Sequence, residues 1–175
     1  MSKNNKLVAP FLKWVGGKRQ LMPSIVANLP ENIKDYIYVE PFIGGGALFF
    51  NLQPKNAIIN DFNEELINVY LVIKNNLEEL IKDLKKHKNE AEYYYSIRSL
   101  DRNGKLSKLT AVQRASRIIF LNKTCFNGLY RVNSSGEFNT PFGRYINPNI
   151  VNEPTLKAVN KYLNNNNKNY NNSNS

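Results

Sequence analysis

Apolar positions along this chain recur with two different periods, and the change from one to the other outlines the fold. Tyr36-Ile37-Tyr38-Val39 is an unbroken run of β-favouring residues, which predicts a buried strand that Pro41 stops. Ala47-Leu48-Phe49-Phe50-Asn51-Leu52 then resumes as a helix, and Ala57-Ile58-Ile59-Asn60 suits a neighbouring parallel strand. Beyond it the spacing becomes helical. Leu66, Val69, Tyr70 and Ile73 form one stripe, and Leu77, Leu80, Ile81 and Leu84 repeat it after an Asn75-Asn76 break, so all are core positions. Further helices are predicted near Leu21 to Leu29, over Glu90 to Leu100 and over Ala111 to Leu121. From Asn127 the pattern becomes short and aromatic. Tyr130-Arg131-Val132 and Glu137-Phe138-Asn139 flank Asn133-Ser134-Ser135-Gly136, the composition of a β-hairpin turn, and Pro141-Phe142-Gly143-Arg144-Tyr145 closes the segment.

The join between the first strand and its helix carries the first sign of chemistry. Val39-Glu40-Pro41-Phe42-Ile43-Gly44-Gly45-Gly46 has glycines that can take positive φ and let a ligand approach the backbone, with the N–H groups of the next helix facing the same space. Asp61 puts a carboxylate at the end of the second strand, where open α/β sheets hold ribose hydroxyls. Together they predict a nucleoside site. The alternative is a tight connection, with Asp61 capping the helix that Asp61-Phe62-Asn63-Glu64-Glu65 would start. Gly16-Gly17-Lys18 invites comparison with a phosphate-binding P-loop, but Arg19 replaces the Ser or Thr that holds magnesium and Leu12 replaces the upstream glycine.

Charge sharpens the picture. The net +10 is uneven: residues 101–175 hold 11 Lys and Arg against 3 Asp and Glu, while residues 1–100 hold 13 against 11. A basic second half suits a phosphate backbone, or else a solubilising face. The start Met-Ser-Lys-Asn-Asn-Lys has no apolar signal region, and the expectation is a cytoplasmic protein without a membrane span. Cys125 is single and His87 is the one histidine, so no disulfide and no metal-ligand cluster is expected. Cys125 reads as packing, and His87, in Lys85-Lys86-His87-Lys88, as a solvated helix end. Residues 1–9 read as a loose start, and residues 164–175, eight of them Asn, as a disordered tail.

Four segments in one order resemble the Dam-type, D12-class DNA adenine-N6 methyltransferases. Phe11-Leu12-Lys13-Trp14-Val15-Gly16-Gly17-Lys18-Arg19 is similar to the family's amino-terminal cofactor motif, Glu40-Pro41-Phe42-Ile43-Gly44-Gly45-Gly46 to its Phe-x-Gly-x-Gly motif, and Asp61 to the acidic residue ending its second strand. Asn127-Gly128-Leu129-Tyr130-Arg131, with Gly136-Glu137-Phe138-Asn139 and residues 141–145, resembles its target-recognition hairpin. The likeness spans roughly residues 10 to 163. It implies an α/β fold: part of a Rossmann-like, S-adenosylmethionine-dependent methyltransferase domain with a helical and β-hairpin target-recognition region. The implied organisation is 10–85 for cofactor binding, 86–150 for recognition and 151–163 returning to the first part. Implied cofactor contacts are Trp14, Lys18, Glu40, Phe42, Gly44, Gly46 and Asp61. Implied contacts to double-stranded DNA are Asn127 and Arg131 at base edges, with Arg114, Arg117, Lys123 and Arg144 on phosphates. GATC is the implied target, and a cognate restriction endonuclease a candidate partner.

One family motif is missing. The chemistry requires Asp-Pro-Pro-Tyr or a close variant after the hairpin, to hold the N6 amino group of a flipped adenine, and nothing after Tyr145 fits it. No catalytic residue is assigned. The expectation is a methyltransferase truncated before its catalytic motif and inactive as this chain alone. The competing expectation is a noncatalytic DNA-binding or regulatory protein derived from such an enzyme; a nucleotide-dependent enzyme using Gly16-Gly17-Lys18 is a distant third.

Overall fold

The computed structural model describes residues 4–16, 18, 20–165 and 168–170. Its small sheet is parallel. β1 (Tyr38–Glu40) and β2 (Ala57–Ile59) are joined through α2 (Ala47–Leu52) and pair in the register Tyr38↔Ala57, Val39↔Ile58, Glu40↔Ile59. β3 (Lys168–Tyr170) lies on the other side of β2, also parallel, giving the order β1-β2-β3. Around the sheet stand α1 (Met22–Ala27), α3 (Glu64–Asn75), α4 (Leu77–Leu84), α5 (Ala91–Arg98), α6 (Ala111–Thr124) and α7 (Glu153–Asn164). None of these helices is long and apolar enough to cross a membrane.

The helical stripes behave as their spacing predicts, and all eight stripe residues from Leu66 to Leu84 are buried. Asn63 caps α3 by accepting from the N–H of Leu66 at 3.0 Å, and the Asn75-Asn76 break separates α3 from α4. α6 begins in a capping box, with Thr110 and Gln113 bonding each other's backbone, and packs on α3, α4 and α5. It serves two cores. Ala115, Ile118 and Ile119 join the main one with Phe49, Phe50, Ile59 and Tyr70, whereas Phe120 and Leu121 join Tyr94, Cys125 and Phe138 beneath the hairpin. Cys125 is packing, as expected, and burial pushes its thiol pKa up to about 11.

Four expectations need correction. The first strand begins two residues later than its apolar run, and Tyr36, Ile37 and Val39 are exposed rather than buried. β1 is an edge strand among the described residues, and β-favouring residues are buried on both faces only where a sheet and its helices enclose them. The start is not loose from residue 4 on: Val8 is buried, Asn4 donates to the Asn51 carbonyl at 2.8 Å, and the Gln53 side chain donates to the Asn5 carbonyl at 2.9 Å. Within the Asn-rich tail, Asn164 completes α7 and Lys168–Tyr170 form β3; residues 166–167 and 171–175 lie outside the described set. A strand ladder is made by backbone groups, so a composition unable to build a core can still add one.

His87 is the fourth. Its ring stacks on Phe120, with centroids 4.3 Å apart and planes at 11°, while Nδ1 lies 2.9 Å from the Tyr93 hydroxyl and Nε2 3.0 Å from Ser116 Oγ. Far from a solvated end, it ties α4's exit to α5 and α6. Burial lowers its pKa to about 4.

Candidate cofactor cavity and DNA-reading hairpin

The glycine turn is held from below by the two strands it connects. Asn60 donates to the Glu40 carbonyl at 2.9 Å and accepts from the N–H of Ile43 at 2.9 Å, while Gly46 closes the turn onto the Ile43 carbonyl. Gly44 and Gly46 have φ of 52° and 71°, in the left-handed region. Packing requires them too: a Cβ on Gly44 would stand 2.9 Å from Trp14 Cδ1, and one on Gly46 would stand 2.7 Å from both the Tyr70 hydroxyl and the Phe50 ring. Asp61 braces the turn from the second strand, its Oδ2 accepting from Gly44 N at 2.9 Å and Oδ1 from Asn63 N at 3.0 Å. It does not cap α3, which Asn63 does.

Above this turn lies a cavity of about 790 Å³, lined by residues of the Pro10–Gln20 segment, Phe42–Gly45, Ala47 and Asp61. Five of the expected cofactor residues, Trp14, Lys18, Phe42, Gly44 and Asp61, line it. Glu40 and Gly46 do not. Glu40 is buried beneath it, its carboxylate accepting from Lys18 Nζ at 2.7 Å and from the Tyr38 hydroxyl at 2.6 Å. Burial, with this carboxylate beside it, raises the Tyr38 pKa, so the phenol stays a donor. Lys18 also donates to the Phe42 carbonyl at 3.2 Å, and the third of its N–H groups has no partner among the described residues. Gln20 and Ala47 line the cavity without having been singled out, and only their adjacency to the motifs would have pointed to them. Gly17 and Arg19 of the first motif lie outside the described residues.

The hairpin forms where its composition placed it. Val132 and Phe138 make an antiparallel bridge, Asn139 donates to the Arg131 carbonyl at 3.0 Å, and Asn133 Oδ1 accepts from the N–H groups of Ser135 and Glu137. Its root is bonded to the turn before α6: Asp101 Oδ2 accepts from Phe138 N at 2.7 Å, and Arg102 Nη2 donates to the Phe138 carbonyl at 3.1 Å.

The basic residues divide. Arg131 is exposed and donates to Asn139 Oδ1 at 2.7 Å; Asn127, at φ 57°, and Arg144, at φ 55°, are exposed on neighbouring turns. Lys123 is half-buried beside a second cavity of about 300 Å³ that Lys13, Tyr145 and Pro148 also line, and burial, then the charge of Lys13, lowers its pKa. Arg117 is not a surface cation. It is 3% exposed, with Nε on the Ile97 carbonyl, Nη2 on the Arg98 carbonyl and an ion pair to Asp101 at 2.8 Å. Arg114 is spent on Glu65 of α3, whose carboxylate accepts from Nε at 2.9 Å and from Nη2, and that bonding raises its pKa. Both depart from the expected phosphate role because their acids come from other elements. Phe126, beside Asn127 and 54% exposed, was not anticipated; an aromatic residue preceding Asn-Gly was the available signal.

A family model described as D12 class N6 adenine-specific DNA methyltransferase matches residues 14–175. The Type II methyltransferase M1.LlaDCHI of Lactococcus lactis subsp. cremoris is 51% identical over 95% of this chain and 58% of its own length. The Type II methyltransferase M.MjaIII of Methanocaldococcus jannaschii is 47% identical over 90% of this chain and 60% of its own length. A DNA adenine methylase of Haemophilus influenzae is 38% identical over 78% of this chain and 47% of its own length. The chain thus spans between about half and three-fifths of these relatives.

Proposed function

This chain belongs to the D12 class of N6 adenine-specific DNA methyltransferases, and from that premise we propose that its cavity holds S-adenosylmethionine while its hairpin reads duplex DNA for adenine-N6 methylation. The observation that carries the reading is the meeting of Trp14, Lys18, Asp61 and the Phe42–Gly45 backbone on one cavity of about 790 Å³. That volume lies within the range of roughly 300–1,000 Å³ usual for ligand pockets. The donor set fits the cofactor's parts: a cation for its carboxylate, an aromatic face for its adenine, a carboxylate for its ribose hydroxyls. Glu40 acts one step back, aiming Lys18. The bound cofactor supplies an electrophilic sulfonium methyl.

On the DNA side, Arg131 offers a two-donor fork suited to guanine and Asn127 an amide suited to adenine, and GATC is the proposed site. Lys123 and Arg144 serve phosphates. Arg114 and Arg117 instead hold α6 and the hairpin root in place. Because these 175 residues contain no Asp-Pro-Pro-Tyr, they bind both ligands without transferring the methyl group on their own. The 10–85 and 86–150 division of labour belongs to the same proposal, as do a cytoplasmic site of action and a restriction endonuclease as companion activity.

Calorimetric titration with S-adenosylmethionine tests the cavity. Wild type is expected to bind, and Asp61→Ala to weaken binding by tenfold or more, about 1.4 kcal/mol or above. DNA binding to duplexes with and without GATC tests the hairpin: Arg131→Ala should cost about 1–3 kcal/mol of discrimination, and Lys123→Ala should weaken all duplexes alike. Wild-type protein that ignores the cofactor would sink the reading.

A further inference from the structure

Two parts of the molecule meet at Tyr130. Its ring stacks on Trp14, centroids 4.6 Å apart and planes at 20°, and Trp14 is a wall of the cofactor cavity. The half-buried ring packs against both hydrophobic cores, the main one under the cavity and the smaller one beneath the hairpin. Its edge meets Phe138, in the second limb of the hairpin, with centroids 5.5 Å apart. Tyr130 therefore joins the cavity wall to the second limb of the hairpin, while lying outside the cavity lining itself.

Asn122 doubles this link. Its Oδ1 accepts from Lys13 N at 3.0 Å, and its Nδ2 donates to the carbonyls of Lys13 at 2.8 Å and Gly128 at 3.1 Å. The Lys13 side chain fills the space over Gly128, where a Cβ would stand 2.5 Å from Lys13 Cδ. On the far side of the wall, Trp14 packs on Gly44 closely enough to exclude a side chain there. A ligand resting against Trp14 thus bears directly on the ring that Tyr130 stacks on. The residue after Tyr130 is Arg131, the base-reading arginine of the proposed function.

We propose that Tyr130, seconded by Asn122, is a positioning residue that couples cofactor occupancy to the setting of the DNA-reading hairpin; this rests on the cofactor and DNA roles proposed above. Ordering the Trp14–Tyr130 stack on binding one ligand lowers the cost of binding the other, and linkage makes the gain reciprocal.

Trp14 is the single tryptophan of the chain, so its fluorescence reports on this contact. S-adenosylhomocysteine, the demethylated product, avoids turnover in the test. At saturation it should tighten binding of a GATC duplex about fivefold or more, and the duplex should tighten S-adenosylhomocysteine binding by the same factor. Tyr130→Phe keeps the stack and should retain most of that factor, with the Trp14 emission shift. Tyr130→Ala should bring the factor to about one. Tyr130→Leu, which fills the volume without an aromatic face, gives the same readout if the alanine variant does not fold. Undiminished coupling in these variants would overturn the role of Tyr130. Wild type that binds both ligands with no coupling would overturn the proposal alone, whereas wild type that binds no S-adenosylhomocysteine would overturn the cofactor reading and the proposal with it.

Discussion

Replacing Asp101 by alanine should destabilise the protein more than any exposed ion pair could, and should loosen the hairpin in the same step. The Asp101 side chain is 8% exposed and faces Arg117, which is 3% exposed, at 2.8 Å; it also pairs with Arg102 at 2.8 Å and accepts from the Phe138 N–H at 2.7 Å. Removing one partner of a buried pair leaves an uncompensated charge and costs about 3–5 kcal/mol. The Phe138 N–H loses its acceptor as well, but the sites share a network, so their costs do not simply add. At roughly 2–4 °C per kcal/mol for a chain of this size, the melting temperature should fall by about 10 °C. Thermal unfolding followed by circular dichroism measures this. Asp101→Asn keeps an acceptor for Phe138 and should fall between wild type and alanine. The double variant Asp101→Leu with Arg117→Met removes both buried charges and should recover much of the loss. If Asp101→Ala stayed within about 1 kcal/mol of wild type, the value of a solvated pair, the reasoning would be refuted.

Two glycines with nearly the same backbone separate conformational strain from packing. Gly46 and Gly136 have φ of 71° and 75°, yet a Cβ on Gly46 meets Phe50 and Tyr70 at 2.7 Å whereas one on Gly136 meets nothing within 4 Å. Gly136→Ala should cost about 1–2 kcal/mol, and Gly46→Ala a further 1–3 kcal/mol, with weaker S-adenosylmethionine binding because Tyr70 holds the Gly44 carbonyl; equal losses in chemical denaturation would remove packing as the cause. His87 sets an acid limit. Its folded pKa of about 4 lies below the ordinary 6.5, so its contribution is full above pH 6.5 and is lost as pH falls from 6.5 towards 4, where the unfolded chain binds the proton first. Melting temperatures between pH 7.5 and 4.5 should show that slope, and His87→Gln should flatten it; an unchanged slope would place the acid sensitivity elsewhere.

What could be read from the chain was what neighbours in sequence decide. Helical stripes depend on spacing of three and four residues, so Leu66 to Leu84 fell on the core as predicted. The hairpin depends on a four-residue turn, and Asn133 to Gly136 formed it. Asp61 and Gly44 lie 17 positions apart, yet the strand-turn-strand pattern brings them together at 2.9 Å. The misreadings concern residues whose surroundings come from remote segments. His87 looked solvated among lysines until α5 and α6 closed over it. Glu40 looked like a ligand contact, but Tyr38 and Lys18 both reach its carboxylate first. The exposed face of β1 was hidden from sequence because burial is a property of the sheet's neighbours, which residue propensity does not encode.

The same distinction revises the argument from charge. The surplus of basic residues after position 100 suggested a surface for a phosphate backbone, but the two arginines of α6 are already paired with acids inside the protein. Glu65 answers Arg114 across 49 positions, and Asp101 answers Arg117 from the turn before the helix. In the opposite sense, Glu153 of the basic half is drawn to Lys85 at 2.6 Å. Charge counted by segment therefore overstates the cationic surface, and burial must decide which residues count. Applied to the six expected DNA contacts, it keeps Arg131 and Arg144 on exposed turns beside Asn127, and leaves Lys123 half-buried next to Lys13. Arg131 and Arg144 lie on the hairpin and its flanking turn and Lys123 in the last turn of α6 next to them, whereas Arg114 and Arg117 lie earlier along α6. Salt dependence should follow that division: Lys123→Ala and Arg144→Ala should each lower the slope of log affinity against log salt by about 0.9. Arg114→Ala should leave the slope unchanged and lower stability instead, and a reduced slope in that variant would return Arg114 to the DNA surface.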